Sequence, residues 1–393
     1  MRSISKRTAF NLAQSTFFAA AIFVPFIMMW APDNVTAEKR NLADFPQLAL
    51  TEESFTSFPA RFERYANDHF GLRESFLTLL SQVAQRVFRT SGSPKVILGK
   101  DGWLFYTAED SLTDMQRLAK VTEADVSAWR GSVRDRAAWL ESQGITYRFV
   151  VAPDKHTVYR DYLPNRYKWD GESRFSRLAE QIGRSDVIVD LSPDLVKRAK
   201  SGDDDLYFRT DTHWTSYGAF VGYREIMKSL GNSYRPVEFV DNDFLSDQQP
   251  EIRDLAQMAR ITAGERDQVS GRPFTECLAP DKVVTPVGLD VSSMSWMTAS
   301  SCKGKHGTAL VFHDSFMTVL KPYLSSTFKR VVYVWGQPND EIFLRFVEQE
   351  KPDVVIEERV ERTMRTPPPN QFTAALSRVK DKTARQGAHS MDE

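Results

Sequence analysis

The segment TALVFHDSF, residues 308–316, joins a short apolar run to a serine and to the start of a helical pattern. Residues 308–312 predict a buried strand, and residues 315–328 predict a helix. A strand–turn–helix junction lifts the hydroxyl of Ser315 clear of a sheet and directs helix N–H groups at a developing oxyanion. The simpler interpretation is that Ser315 is an N-cap, the commonest role of a serine before a helix.

A second segment, LYFRTDTHWTSYG at residues 206–218, supplies a carboxylate and an imidazole. In an extended segment, side chains two residues apart project to the same side, so Asp211 can accept the Nδ1–H of His213. The Nε2 atom of His213 is then free to take a proton. An isolated Asp-x-His pair is more often a surface or capping pair, but together with Ser315 it predicts a catalytic triad for covalent acyl transfer.

Apolar runs alternate with helical patterns along most of the chain, which predicts an α/β fold with a mostly parallel sheet and helices on both faces. The predicted strands are residues 148–152, 187–191, 308–312, 330–335 and 353–357, and the predicted helices are residues 58–89, 123–143, 174–182, 216–230, 315–328 and 339–350. Ligands bind such sheets at the carboxyl ends of the strands. Ser315 and Lys155 each follow a strand, so we expect both to face one crevice.

The N-terminus predicts export. Residues 8–32 carry no charge, and basic residues precede them, so the positive-inside rule predicts a single-pass inner-membrane anchor with the rest of the chain in the periplasm. A cleaved signal peptide, with VTA at residues 35–37 as the processing site, is the alternative. We expect residues 1–33 to be the anchor and 34–95 a linker with a helix. We expect residues 96–365 to be the catalytic domain, interrupted by an insertion at 231–305, and residues 366–393 to be a disordered tail.

The net charge and the cysteine and histidine content limit the classes of function that the chain can have. The formal net charge of −1 at pH 7 offers no basic field for nucleic acid. Cys277 and Cys302 are the only two cysteines, and in an oxidising compartment they are expected to pair, two buried thiols being the alternative. The six histidines show no metal-binding spacing, and no cofactor fingerprint is present, so we expect neither a metal nor a cofactor in catalysis.

Four blocks of sequence resemble the alginate O-acetyltransferase family, whose periplasmic members carry an SGNH-hydrolase-like domain. They are ILGKDGWLFY at residues 97–106, VAPDKHTVY at 151–159, the Asp211–His213 segment at 206–218, and VFHDSF at 311–316. Their order indicates the circularly permuted form of the fold. The serine block departs from the family pattern at one position, where His313 replaces the usual glycine.

The resemblance implies an exported O-acetyltransferase that moves acetyl groups onto the hydroxyls of an exopolysaccharide or cell-wall glycan. It also implies a membrane-bound O-acyltransferase partner as the source of acetyl groups. The candidate substrate-binding residues are Lys155, Tyr159, Arg209, Trp214 and His313. Lys155 is otherwise a solvated lysine at a strand end, and Trp214 is otherwise a packing residue rather than a platform for a sugar ring. A carbohydrate acetylesterase with the same triad, or a silent carbohydrate-binding scaffold, remains open.

Overall fold

The computed structural model describes residues 6–28, 42–48, 51–168, 170–183, 186–202, 205–238, 244–245, 250–266, 269–270, 277, 279–283, 285–286, 297–368 and 371–389. The chain divides into two compact units. The first comprises Met1–Val96 with Ala256–Thr262, and the second comprises Ile97–Leu255 with Ala263–Glu393. The candidate catalytic residues all lie in the second unit.

A mostly parallel sheet is the centre of the second unit. The strands of the chain are β1 Val96–Leu98, β2 Leu104–Tyr106, β3 Thr146–Ala152, β4 Ile188–Asp190, β5 Phe244–Leu245, β6 Val269–Ser270, β7 Ala279–Asp281, β8 Met297–Ser301, β9 Thr308–His313, β10 Arg330–Trp335 and β11 Val354–Val360. Among the described residues, seven of them form one sheet in the order β4-β3-β11-β9-β10-β8-β7. The first five are parallel, whereas β8 and β7 add antiparallel. All five predicted strands are therefore confirmed.

Helices cover this sheet on both faces, as predicted. The helices of the chain are α1 Lys6–Ile27, α2 Glu52–His69, α3 Arg73–Val83, α4 Ser111–Met115, α5 Glu123–Ser142, α6 Lys155–Val158, α7 Arg174–Ile182, α8 Ser192–Ser201, α9 Ser216–Ser229, α10 Asp254–Met258, α11 Met317–Ser325, α12 Asp340–Glu350 and α13 Phe372–His389. Side chains alternate along β3. Val150 and Ala152 join the core formed with α9 and α11, and Phe149 and Val151 join the core formed with α5, α7 and α12. The sheet is thus buried on both sides.

Local signals set the helix boundaries. Thr122 and Asp125 form a capping box at the start of α5, in which each side chain accepts the other residue's backbone N–H. Gly183 ends α7 with a φ of 66°, a conformation that glycine adopts without steric cost. The predicted helix at residues 58–89 is instead split into α2 and α3, because the chain turns at Leu72, whose φ is 64°.

The C-terminal tail differs from its prediction. Much of the predicted disordered tail is helix α13, which buries Phe372, Ala375 and Val379 against the core. Apolar residues at helical spacing outweigh the polar composition that suggested disorder. The described part of the insertion supplies β7 and β8 to the main sheet and forms a two-stranded sheet from β5 and β6.

The predicted anchor forms a helix, α1, but its membrane-spanning role is not supported. Within the part of the chain that the structure describes, no helix is both long enough and apolar enough to cross a membrane. Four polar residues, Asn11, Gln14, Ser15 and Thr16, lower the hydropathy of the apolar run. Residues 29–33 of the predicted anchor and the alternative processing site lie outside the described residues.

Candidate active site

Asp211, His213 and Ser315 form one hydrogen-bonded chain. The Nε2 atom of His213 lies 2.7 Å from Ser315 Oγ, and its Nδ1 atom lies 2.8 Å from Asp211 Oδ1. Asp211 Oδ1 also accepts the backbone N–H of His213 at 3.0 Å. The two halves of the site, 102 residues apart in sequence, thus come together as the sequence predicted.

The electrostatics of the triad suit a base that is oriented by a carboxylate. Burial alone would raise the pKa of Asp211, but its hydrogen bond to His213 and the charge of that residue lower the pKa below its usual value. Asp211 is therefore ionised at neutral pH and fixes the Nδ1–H tautomer of His213. The side chain of His213 is 28% exposed, so the triad is open to an incoming substrate. The arrangement can generate a serine nucleophile.

A buried carboxylate, Asp314, holds the turn that presents Ser315. Its two oxygens accept the backbone N–H groups of Phe316 at 2.9 Å and Val360 at 2.7 Å, and its own N–H donates to Glu358 at 3.1 Å. The turn between β9 and α11 is thereby fixed to the end of β11. Because the Phe316 N–H is used in this way, it is not free to bind an oxyanion, contrary to the simplest expectation for the first N–H after the nucleophile.

The loop that carries Asp211 and His213 folds back on itself beside α9. Tyr207 and Trp214 form an isolated antiparallel bridge, and Thr215 caps α9 by accepting the N–H of Gly218. A Cβ atom on Gly218 would lie 1.9 Å from the carbonyl oxygen of Leu206, so only glycine permits this approach. The loop and the start of α9 therefore form one packed unit.

Trp214 is a packing residue and not a sugar platform. Its side chain is completely buried, its Nε1–H donates to the carbonyl of Phe316 at 3.0 Å, and its ring contacts the ring of Phe316 edge-on. Trp214 thus ties the loop of His213 to the turn of Ser315. The prediction that it stacks on a pyranose ring is wrong, because no face of the ring reaches solvent.

Lys155 is buried and holds the loop that carries Asp211 and His213. Its ammonium group donates to the carbonyl oxygens of Phe208 at 3.0 Å, Arg209 at 2.9 Å and Asp211 at 2.5 Å, and burial lowers its pKa to about 7. Lys155 does follow a strand end, as predicted, but its charge faces the loop and is not available to a substrate. Its predicted substrate-binding role is therefore corrected to a positioning role.

We expect Lys155→Met to lower kcat about 10- to 100-fold while KM changes little, because a displacement of reacting groups by about 1 Å costs rates of this order. The variant removes three hydrogen bonds that hold the loop of Asp211 and His213. It removes no contact with a substrate. Steady-state kinetics with an acetyl ester would measure the effect, and Lys95→Met, at an exposed lysine, is the matched control. An unchanged kcat in a folded Lys155→Met protein would contradict the positioning role.

Two carboxylates from the insertion also hold the loop of Asp211 and His213, and no sequence pattern predicts either of them. Glu265 accepts the backbone N–H groups of Arg209 at 2.7 Å and Thr210 at 2.9 Å. Asp254 accepts the Thr212 N–H at 2.8 Å and the Thr212 hydroxyl at 2.5 Å. That hydroxyl lies 3.1 Å from His213 Nδ1, so Asp254 acts on the catalytic histidine through Thr212.

We expect Asp254→Asn to lower kcat about 10-fold, far less than loss of a triad member, because it loosens Thr212 without removing a reacting group. Burial and the charge of Asp211 raise the pKa of Asp254, so the amide also relieves a repulsion between two carboxylates. Kinetics would be compared with Asp170→Asn, at an exposed carboxylate. A loss as large as that of Asp211→Asn would show that Asp254 is itself the triad acid.

The remaining predicted substrate residues lie in different environments. Tyr159 is buried, stacks on Trp103 at 3.9 Å between ring centroids, and accepts the Leu206 N–H at 2.7 Å, so its predicted contact with substrate is corrected to a structural role. Arg209 stays accessible, with its side chain 47% exposed and paired with Asp205 at 2.9 Å. Arg209 therefore remains a candidate for binding a substrate.

His313, at the end of β9, is buried. The ring is 1% exposed, its Nδ1–H donates to the carbonyl of Asp314 at 2.8 Å, and its edge contacts Tyr333 and Trp335. Burial lowers its pKa to about 4, so the ring is neutral at pH 7. The φ angle of His313 is not positive, so this position does not need a glycine. Its predicted contact with substrate is wrong.

Cys277 and Cys302 form a disulfide, as predicted, with their Cα atoms 4.4 Å apart. The bond joins the end of β8 to a residue just before β7 in the insertion. It therefore fixes the antiparallel edge of the sheet, and neither sulfur is a free thiol that could act as a nucleophile.

Two groups of side chains among the described residues have the composition of metal ligands, although the sequence contains no metal motif. One is Asp211, His213 and Asp254, and the other is Asp154, His156 and Glu361. In the first group the hydrogen bonds of Asp211 and Thr212 already engage the carboxylates. The first group is therefore accounted for by the triad.

Residues 96–279 match the family model described as "SGNH hydrolase-like domain, acetyltransferase AlgX". The resemblance to this family is confirmed. The matched range contains Asp211 and His213 and ends before Ser315. The candidate nucleophile is therefore assigned from its hydrogen bond to His213 and not from this match. The mostly parallel sheet with helices on both faces agrees with an SGNH-hydrolase-like fold.

Curated relatives carry the name "Probable alginate O-acetylase AlgJ". The protein of Pseudomonas syringae pv. tomato is 26% identical over 210 residues, covering 53% of this chain and 51% of the relative. That of Pseudomonas aeruginosa is 26% identical over 183 residues, covering 46% and 43%. This chain thus spans about half the length of the curated relatives it matches.

A solved structure shows the same fold. Bacillus cereus PatB1 with a sulfonyl adduct superposes with a TM-score of 0.50 at 16% identity, covering 70% of this chain and 97% of that one. The O-acetyltransferase domain of Pseudomonas putida AlgJ gives a TM-score of 0.44 at 20% identity, covering 72% and 98%. At this identity the PatB1 match supports the fold alone.

Proposed function

We propose that this chain is an O-acetyltransferase that transfers acetyl groups to the hydroxyls of a polysaccharide. The observation that carries the proposal is His213, which lies within hydrogen-bond distance of Ser315 on one side and Asp211 on the other. A serine, a base and an orienting acid in this order are the groups that acyl transfer through a covalent intermediate requires. The names of the AlgX model and of the AlgJ relatives support acetyl as the group transferred.

In the first half-reaction, Ser315 Oγ attacks the carbonyl carbon of an acetyl donor. His213 Nε2 takes the hydroxyl proton as the new C–O bond forms, and Asp211 stabilises the resulting imidazolium. When the tetrahedral intermediate collapses, the bond to the leaving group breaks and His213 returns the proton to it. The products are acetyl-Ser315 and the deacetylated donor.

In the second half-reaction, a sugar hydroxyl attacks the acetyl-serine. His213 Nε2 takes the proton of that hydroxyl and then gives it to Ser315 Oγ as the serine leaves. The acetyl group moves to the sugar, and the free triad is restored. Water at the same position gives acetate instead, so acetyl esterase activity is the second candidate and differs only in the acceptor.

A catalytically silent scaffold is the third candidate. It would follow if His313, in place of the family's usual glycine, prevented Ser315 from acting as a nucleophile. The buried ring of His313 hydrogen-bonds to the carbonyl of Asp314 and contacts Tyr333 and Trp335, and the φ angle of this residue is not positive. Replacement of the family's glycine is therefore compatible with an active serine block. This observation favours an enzyme over a scaffold.

We also propose that the catalytic unit works on the periplasmic side of the inner membrane, with acetyl groups supplied by a membrane-bound O-acyltransferase partner. The Cys277–Cys302 disulfide supports export, because disulfides persist in oxidising compartments. The basic residues before the uncharged run of residues 8–32 also match the start of an export signal. An alkaline phosphatase fusion after residue 60 should be active, and an inactive, well-expressed fusion would contradict the location.

The test of the function is the fate of the acetyl group. The protein is incubated with an activated acetyl ester and candidate oligosaccharides, and the products are identified by mass spectrometry. We expect acetylated oligosaccharide to form with wild-type protein and not with Ser315→Ala. Release of acetate alone, at a rate that oligosaccharides do not change, would favour the esterase. Absence of both products with every acceptor, including water, would favour the scaffold.

A further inference from the structure

Three buried polar side chains cluster at the carboxyl ends of two adjacent strands, outside the triad. Asp154 follows β3, His156 lies on α6, and Glu361 follows β11 directly. β3 and β11 pair in parallel up to Ala152 and Val360, so their ends are neighbours. The side chains are only 5%, 3% and 3% exposed. Carboxylates and imidazoles are rarely buried to this degree unless they are paired or bind an ion.

Each of the three side chains has a polar atom without a hydrogen-bond partner in the described part of the chain. These atoms are Asp154 Oδ2, His156 Nε2 and Glu361 Oε1. The second oxygen of each carboxylate is held in place, because Asp154 Oδ1 accepts from Arg362 at 2.6 Å and Glu361 Oε2 accepts from Thr157 at 2.6 Å. The two carboxylates are thus oriented, and each keeps one oxygen outside any hydrogen bond, while His156 Nε2 faces the carboxylate of Asp114 at 3.6 Å. Buried polar atoms normally find partners, so three such atoms together call for an explanation.

The geometry and charge of the cluster suit a cation. One ligand atom from each residue lies within 4.8 Å of the other two. A fourth carboxylate, Asp114, lies 3.6 Å from His156 Nε2. Three carboxylates therefore face the histidine, whereas two guanidinium groups are near them: Arg362, which Asp154 shares with Glu109, and Arg117, 3.8 Å from Asp114.

We propose that Asp154, His156 and Glu361 bind one divalent first-row cation, with Zn²⁺ as the ion best suited to one imidazole and two carboxylates. The ligand set leaves room for Asp114 or water as a further ligand. Asp154 and His156 also line one small cavity, together with Thr212 and others. This inference is independent of the proposed acetyl transfer.

A cation at this site would stabilise the two segments that position the triad. Asp154 precedes Lys155, which holds the catalytic loop, and Glu361 follows Val360, which holds the Ser315 turn through Asp314. A cation that joins Asp154 to Glu361 therefore links the supports of both halves of the active site. Its role is structural, because the hydrogen bonds of Asp154 and Glu361 join them to each other, to Arg362 and to Thr157 rather than to the triad.

The experiment is zinc binding to the full-length protein after removal of metal with a chelator. Isothermal titration with ZnCl₂ is combined with metal analysis of the desalted complex. We expect one equivalent per chain in the wild type and a rise in the melting temperature. His156→Ala and the near-isosteric Glu361→Gln should each weaken binding by more than the roughly 10- to 100-fold that loss of an outer-shell partner costs.

Two control variants distinguish this site from others. His213→Ala removes the histidine of the triad group, and His306→Ala removes one that contacts Ser233, so both should still bind one equivalent. Circular dichroism confirms that each variant is folded. If folded Glu361→Gln binds zinc as the wild type does, or if His213→Ala abolishes binding, the proposal is wrong. Failure of the stripped wild-type protein to bind zinc also overturns it.

Discussion

Ser315→Ala should lower the kcat/KM of acetyl transfer by about 10⁴- to 10⁶-fold and leave the fold intact. Without the Oγ atom there is no covalent carrier, and His213 has no hydroxyl to deprotonate. Initial rates with an activated acetyl ester and an oligosaccharide acceptor would measure the loss. Ser142→Ala, at an exposed serine of α5, is the matched control and should retain wild-type activity.

The same experiment on the other triad residues tests whether the three act as a unit. His213→Ala should lose as much activity as Ser315→Ala, and the double variant should lose little more. Asp211→Asn should lose about 10⁴-fold, because the amide favours the wrong tautomer of His213. A Ser315→Ala protein with near wild-type transfer, or losses that multiply in the double variant, would contradict the triad.

The largest expected effect on stability is that of Arg136→Met. This fully buried guanidinium on α5 donates to Glu357 Oε2 at 2.6 Å, to Asp340 Oδ1 at 2.7 Å and to the carbonyl of Pro338 at 3.0 Å. It therefore joins α5 to α12 and β11 beneath the sheet. The substitution removes the guanidinium that pairs with buried Asp340 and one of the two that pair with buried Glu357, so we expect the free energy of unfolding to fall by about 3–5 kcal/mol.

Urea unfolding followed by circular dichroism would measure this change. Arg130→Met is the control on the same helix, because Arg130 donates to the carbonyl of Gln181 at the surface and its loss should cost about 1 kcal/mol or less. Equal falls in the free energy of unfolding for the two variants would show that the buried network stabilises the fold no more than a surface hydrogen bond does.

The network also predicts a dependence on pH. Burial alone would raise the pKa of Glu357, but Arg136 and Arg359 lower it to about 2. Its ionised form therefore contributes stability that is present above the ordinary pKa of about 4.3 and is lost as the pH falls toward 2. In Arg136→Met the pKa of Glu357 should rise, so the stability that this group contributes above about pH 4.3 should be smaller, and its acid-induced loss should be complete at a higher pH than in the wild type.

Sequence patterns predicted the sheet and the triad because both depend on local signals. Apolar runs of four to six residues gave the parallel strands, and the strand–turn–helix pattern gave Ser315. Asp211 and His213 are two residues apart, so their contact was also local. The contact arises in a turn, however, where Asp211 accepts both the ring and the backbone N–H of His213, and not in an extended strand.

The roles of single side chains around the site depend on tertiary contacts that no pattern shows. The charge of Lys155 suggested solvent or substrate, yet three carbonyl oxygens from a loop 53 to 56 residues away surround it. Asp254 and Glu265 lie in the insertion, where composition gave no reason to prefer any carboxylate. The cluster of Asp154, His156 and Glu361 likewise forms only when β3 and β11 pair.

The most direct measurement of the central claim is the mass of the protein during turnover. Mixed with an activated acetyl ester and quenched in acid within the first turnover, the wild-type chain should gain one acetyl group, and peptide mapping should place it on Ser315. The adduct should accumulate in His213→Ala far more slowly and should not form in Ser315→Ala. Addition of an acceptor oligosaccharide should shorten its lifetime. An acetyl group on any other residue, or turnover with no adduct on Ser315 under these conditions, would contradict the account.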